Sequence, residues 1–130
     1  MMDITMDLVD YAATIDGMIK SIMAKGIDHC CLDQISRSST SVMANFAESQ
    51  RSQTPKDCGY KIGIASKEAY ETLSWLHFMG AIGLIDNESC DSLVHSTFNI
   101  IKVLDTLVIE TMENDAPTEW MRKLKRARGE

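Results

Sequence analysis

Proline and aromatic residues are scarce in this chain, with two prolines, Pro55 and Pro117, and aromatics at 6% of 130 residues. The long stretch between the prolines is therefore free to be uninterrupted helix. No segment alternates β-branched and polar residues at period two, which leaves no half-buried strand to place. The four cysteines, Cys30, Cys31, Cys58 and Cys90, form no C-x-x-C pair and lack the spacing of a secreted disulfide framework; they read as reduced thiols of a cytosolic protein. The N-terminus shows no basic, apolar and small-residue leader, and Asp3, Asp7 and Asp10 argue against one. The uncharged run from Leu73 to Ile85 is too short to span a bilayer and is broken by His77, Gly80 and Gly83. A soluble protein without a membrane partner is expected.

What is present is helical in character. Hydrophobic residues make up 45% of the chain, and nine methionines supply flexible filling where rings are few. One domain with a sizeable core is expected at this length. Net charge is −6, unevenly spread: residues 1 to 36 carry −4, 37 to 67 carry +3, 68 to 119 carry −9 and 120 to 130 carry +4. An acidic protein with two basic districts is not a general polyanion binder, because its summed field repels phosphate except where those districts face outward together.

The periodicity predicts four long helices. The first spans about Asp3 to Lys25, with Ile4, Leu8, Tyr11, Ala12, Ile15, Ile19 and Ile22 on one face and Gly26 as its stop. In the second, from 29 to 51, Leu32, Ile35, Ser39, Val42, Met43, Phe46 and Ala47 form the stripe, while Arg37, Ser38, Thr40 and Glu48 fall off it or at its margin. Thr54, Pro55 and Asp57 then supply a capping hydroxyl, a first-turn ring and an acid at the positive end of the dipole, which starts a third helix. That helix carries Ile62, Ala65, Ala69, Leu73 and Leu76 on one stripe and Ile64, Trp75 and Phe78 on another, and it ends at Gly80 or Gly83. Asp86 caps a fourth helix with Cys90, Leu93, Val94, Thr97, Ile101, Leu104, Leu107, Val108 and Thr111 inward, fading near Asn114. Short connections make an up-down-up-down antiparallel four-helix bundle the expected all-α fold over residues 1–114. Residues 115–130 form a basic C-terminal tail that is either a fifth helical turn or frayed.

The segments S-x-T-S-V-x-A-N-x-A-E at Ser38 to Glu48 and K-D-x-x-x-K-x-x-I-A-x-K-E-A-x-E-T-x-x-W-L at Lys56 to Leu76 resemble the family called four-helix-bundle proteins. That family includes 23S rRNA intervening sequence proteins and, more distantly, the Avd-like accessory variability determinants of diversity-generating retroelements. The resemblance implies a bacterial, cytoplasmic, non-enzymatic bundle assembling with itself as a homopentameric ring. In the retroelement branch it also implies contact with nucleic acid, RNA or DNA, and with a reverse transcriptase. Three positions depart from the family pattern: Cys58 and Gly59 replace a large pair, and Ser49 stands where many relatives have glycine. The retroelement accessory proteins are strongly basic, in contrast to a pI near 5.0 here.

Candidate residues fall into two sets. Arg51, Lys56 and Lys61 cluster at the connection between the second and third helices, and Arg122, Lys123, Lys125, Arg126 and Arg128 follow Trp120 in the tail. Repeated around a ring, such patches multiply weak phosphate contacts into a nucleic-acid or partner surface. Trp120 either stacks on a base or folds back on the bundle. The second set, Asn45, Glu48, Lys67, Glu71 and Trp75, is placed to fix helix register or a subunit interface. Glu68 and Glu71 lack a histidine three residues on, and His29 with Cys30 and Cys31 gives adjacent ligands that do not readily close one tetrahedral site. No glycine-flanked nucleophile or phosphate-cradling loop is present. No metal, no cofactor and no enzymatic activity are expected. The function these features imply is an oligomeric accessory or scaffold that holds RNA or a nucleoprotein. The alternative is a protein–protein assembly module without nucleic-acid contact.

Overall fold

The computed structural model describes residues 3–130. Its described residues form an all-α fold of five helices without a strand: α1 (Thr5–Ala24), α2 (Cys30–Ser49), α3 (Pro55–Ala81), α4 (Asn87–Glu113) and α5 (Glu119–Ala127).

The helix starts follow from local chemistry. Thr54 accepts a hydrogen bond from the Asp57 N–H at 3.1 Å, with Pro55 in the first turn, and Asp86 accepts from the Ser89 N–H at 2.8 Å. Each satisfies an amide that has no partner within its helix. α2 begins differently: the His29 Nδ1 accepts from the Cys31 N–H at 3.0 Å, a cap the sequence reading did not assign. Gly26 and Gly83 turn the chain after α1 and α3 at φ +80° and +78°, where a Cβ would be strained.

Cross-helix contacts fix directions. Glu48 meets Lys61 and Ser38 meets Thr72, so α2 and α3 are antiparallel. Cys90 lies beside Gly80, Asp105 bonds Ser66 and Met112 sits against Gly59, so α3 and α4 are antiparallel too. α1 packs along α2, and Tyr11 reaches across to a buried hydrogen bond with Thr97 of α4. The expected inward residues are buried throughout α1 and on the principal stripe of α3. Of the second α3 stripe, Ile64 and Trp75 are half-buried and Phe78 is exposed; α3 instead meets its second neighbour, α4, through Gly59 and Ser66.

Two readings of single residues need correction. Ser38, read as marginal to the α2 stripe, is fully buried, because its hydroxyl is paired with that of Thr72 at 2.8 Å. A hydroxyl that is matched across the interface is no longer a reason for exposure. Ala47, read as inward, is exposed at the end of α2.

The three departures from the family pattern fit one another. A Cβ on Gly59 would run into the Met112 side chain. Cys58 is fully buried, and burial raises its thiol pKa while a hydrogen bond with Ser49 pulls the other way. Methionine on α4 thus fills what a larger α3 residue would occupy, and serine and cysteine share a polar contact beside it.

α3 and α4 are 27 residues long against 20 for α1 and α2. The difference, about 10 Å at the helical rise, leaves a step. Because α2 pairs with α3 as Glu48 with Lys61, part of that step lies over the first turns of α3, and α5 lies against it: Met121, 3% exposed, belongs to the same core cluster as Ile4, Phe46, Cys58 and Leu107. Residues 119–127 are therefore helical and docked. By length and composition alone α4 would also pass for a membrane span. Here its apolar stripe is packed within the fold, with Ile101, Leu104 and Leu107 at 3% exposure or less.

Candidate functional site

The basic residues gather at the end of the molecule where α2 stops, α3 starts and α5 docks. Thr118 opens α5 by accepting from the Met121 N–H at 3.2 Å, and its own N–H points to the Met121 sulfur at 3.4 Å. This reciprocal cap fixes the helix start at the same residue that anchors it in the core. The half-buried Trp120 lies beneath Arg51, whose guanidinium carbon is 3.8 Å from the ring centroid. A cation over an indole face is attractive by about 0.5–1 kcal/mol at an exposed site, so this contact ties α5 to the end of α2. In the free chain Trp120 folds back on the protein rather than standing clear of it.

The cations there are not equally available. Lys61 is 3.1 Å from Glu48; Arg122 and Arg126 share Glu119 at 3.7 and 3.6 Å; Arg128 pairs with Glu130 at 2.9 Å. Arg51, Lys56, Lys123 and Lys125 are exposed and have no carboxylate partner among the described residues. Surface pairs of this kind exchange readily with another anion, because each contributes little.

The second candidate set is only partly brought together. Arg37 of α2 spans to α3, donating to Glu68 at 3.4 Å and bonding Glu71 closely. Glu71 also accepts from the Trp75 indole N–H at 3.4 Å, and Trp75 meets Phe78 edge-on at 6.0 Å. Asn45 instead bonds the Ser41 carbonyl of its own helix at 2.8 Å, and Lys67 points to solvent. The α2–α3 clamp thus centres on Arg37, which the sequence reading left off the stripe. Its signal was present: Arg37 is the lone cation of α2, and Glu68 and Glu71 lie less than one turn apart on α3.

A cleft of about 960 Å³ lies between the C-terminal half of α1 and the start of α4, lined by Thr14, Met18, Ser21, Asp86 and Ser89 among others. Hydrogen bonds to the Ser89 N–H and hydroxyl hold the Asp86 carboxyl below its ordinary pKa. Those same bonds occupy the carboxylate with helix capping. Among the described residues, no three His, Cys, Asp or Glu side chains gather as a metal site would need.

The fold and its basic end define a small all-helical protein with a cluster of exposed cations where α2, α3 and α5 meet. The chain belongs to the 23S rRNA-intervening sequence protein family, whose model matches residues 6–106. No curated protein matches it. A solved structure from Bacteroides thetaiotaomicron, a protein of unknown function from the S23 ribosomal protein family, is similar at 28% identity, over 82% of this chain and 98% of that one, with a TM-score of 0.78. The family match stops short of α5, so the docked basic helix lies outside it.

Proposed function

We propose that this chain is a non-enzymatic accessory or scaffold protein of the bacterial cytoplasm, a four-helix bundle that assembles as a homopentameric ring. The ring holds RNA, or a nucleoprotein partner such as a reverse transcriptase, against its basic end. The observation that carries this reading is the anchoring of α5. Met121 in the core and Trp120 under Arg51 hold a helix whose cations, Arg122, Lys123, Lys125 and Arg126, face water beside Arg51 and Lys56, with Glu119 paired to the two arginines. A fixed cationic face loses less conformational freedom on meeting phosphate than a loose tail does, and five copies raise the effective concentration.

Gel filtration with light scattering tests this, on the chain alone and with structured RNA at about 0.15 M salt, where screening acts over about 8 Å. A ring-sized mass that shifts with RNA is expected, and replacing Lys123 and Lys125 by glutamine should flatten the salt dependence of binding. A ring indifferent to RNA would select the second reading, a protein assembly module. That reading is favoured by Phe98, Ile109 and Met112, which stand 43%, 54% and 48% exposed on one face of α4 in a chain of net charge −6. A monomer would remove the avidity on which the first reading depends.

A further inference from the structure

α3 turns one more face to solvent, and its chemistry is unlike that of an ordinary exposed helix surface. Lys56, Tyr60, Gly63, Lys67 and Tyr70 follow one another at three- and four-residue spacing and so share a stripe. Tyr60 is 67% exposed and Tyr70 52%. Neither phenol has a hydrogen-bond partner, and neither Lys56 nor Lys67 an ion-pair partner, among the described residues. Gly63 between them leaves open space where a Cβ would stand.

Neighbouring carboxylates are mostly engaged. Arg37 holds Glu68 and Glu71, Lys61 holds Glu48, and Asp105 of α4 accepts from Ser66 at 2.6 Å. Asp57, in the first turn, is a further acid near the lower end of the stripe, and Glu113 of α4 follows Met112, which meets Gly59. Two tyrosines held in water on a helix that already packs on both α2 and α4 contribute nothing to the core, while alternating with cations they match the pattern of a stacking surface that tracks a phosphate backbone.

We infer that this stripe is a path for single-stranded RNA, with bases stacking on Tyr60 and Tyr70 and phosphates meeting Lys56 and Lys67. The inference rests on the RNA reading above and continues from it through Lys56, which belongs to both surfaces. The two rings are ten positions apart, about 15 Å along the helix, a span of a few nucleotides. A duplex hides its base faces within its own stack and cannot use such a path.

Fluorescence anisotropy on the full chain, with a labelled oligouridylate and with duplex RNA of equal length, tests the inference. The unmodified protein should favour the single strand. The double variant Tyr60→Ala/Tyr70→Ala should lose about tenfold or more in single-strand affinity while its duplex affinity is unchanged, and Tyr60→Phe/Tyr70→Phe should retain binding because the ring does the stacking. Lys56→Gln/Lys67→Gln should lower the log–log salt slope by about 1.4, the share of two phosphates. Equal binding of single strand and duplex, or an alanine variant that binds like the unmodified protein, would overturn the path and leave the RNA reading standing. Absence of binding to either RNA would remove both. A fall in assembly mass in the alanine variant would overturn the path in favour of a face that joins copies of this chain.

Discussion

α4 meets α3 along one flank through small residues and meets α1 along the other across a cleft. On the α3 side, Gly59 receives Met112 and Gly80 lies so near Cys90 that a Cβ would sit 2.7 Å from its sulfur, with Ala65 and Ala69 fully buried between. Small residues let helix surfaces interdigitate closely. On the α1 side, the large Tyr11 reaches Thr97, and clefts open above and below it, bounded by Thr14, Met18 and Ser92 in one and Asp7, Asp10, Ser96 and Asn99 in the other. The same helix is therefore close-packed on one flank and bridged by a buried hydrogen bond on the other. Apolar side chains on the two flanks have different neighbours to lose.

The largest expected effect is on that contrast. Leu104→Ala, in the closed core, should cost about 2–5 kcal/mol, and Ile22→Ala, beside the open cleft, should fall at the low end of that range because neighbours and water can fill the space. Urea unfolding of both variants measures the difference; equal costs would mean that the two flanks are equally rigid. Next comes the polar match on the α2–α3 side. Thr72→Val removes the partner of Ser38, which keeps only a 3.3 Å bond to the Ile35 carbonyl, and should cost about 1–2 kcal/mol in the same assay.

Smallest at neutral pH is Tyr11→Phe, expected at about 1 kcal/mol, since Thr97 can still donate to the Leu93 carbonyl at 2.7 Å. Its signature lies at alkaline pH. Burial pushes the Tyr11 phenol up to about 12, opposed by its bond with Thr97. A group whose folded pKa is raised above its ordinary value, here near 10, stabilises fully below that value and loses its contribution as pH rises toward the folded pKa. The buried thiols Cys31, Cys58 and Cys90 are raised in the same direction by burial. Stability should thus fall on the alkaline side, and between pH 10 and about 12 the Phe variant should lose less than the parent. Parallel loss in both, followed by circular dichroism, would assign the effect to the thiols.

The candidate site divides along a similar line. Arg51, Lys56 and the α5 cations could be named from sequence because clustered charge is visible in one dimension. That Arg51 covers Trp120, that Arg122 and Arg126 share Glu119, and that Arg37 takes both glutamates while Lys67 has no ion-pair partner among the described residues depend on which side chains the fold brings together. Tyr60 and Tyr70 illustrate the limit. Their common stripe is a matter of spacing, but their exposure follows from α2 and α4 taking the other faces of α3.

By itself the sequence determined the helices: their periods, the Thr54 and Asp86 caps, the stops near Gly26 and Gly83, and the inward residues of α1 and α4. These depend on neighbours within a turn or two, so they are written locally. Tertiary structure alone decided the pairs: Ser38 with Thr72, Tyr11 with Thr97, Gly59 with Met112, and α5 in the step beside Phe46 and Cys58. Each joins residues far apart in the chain, and whether a hydroxyl is buried or a glycine is filled depends on what the partner helix brings to meet it.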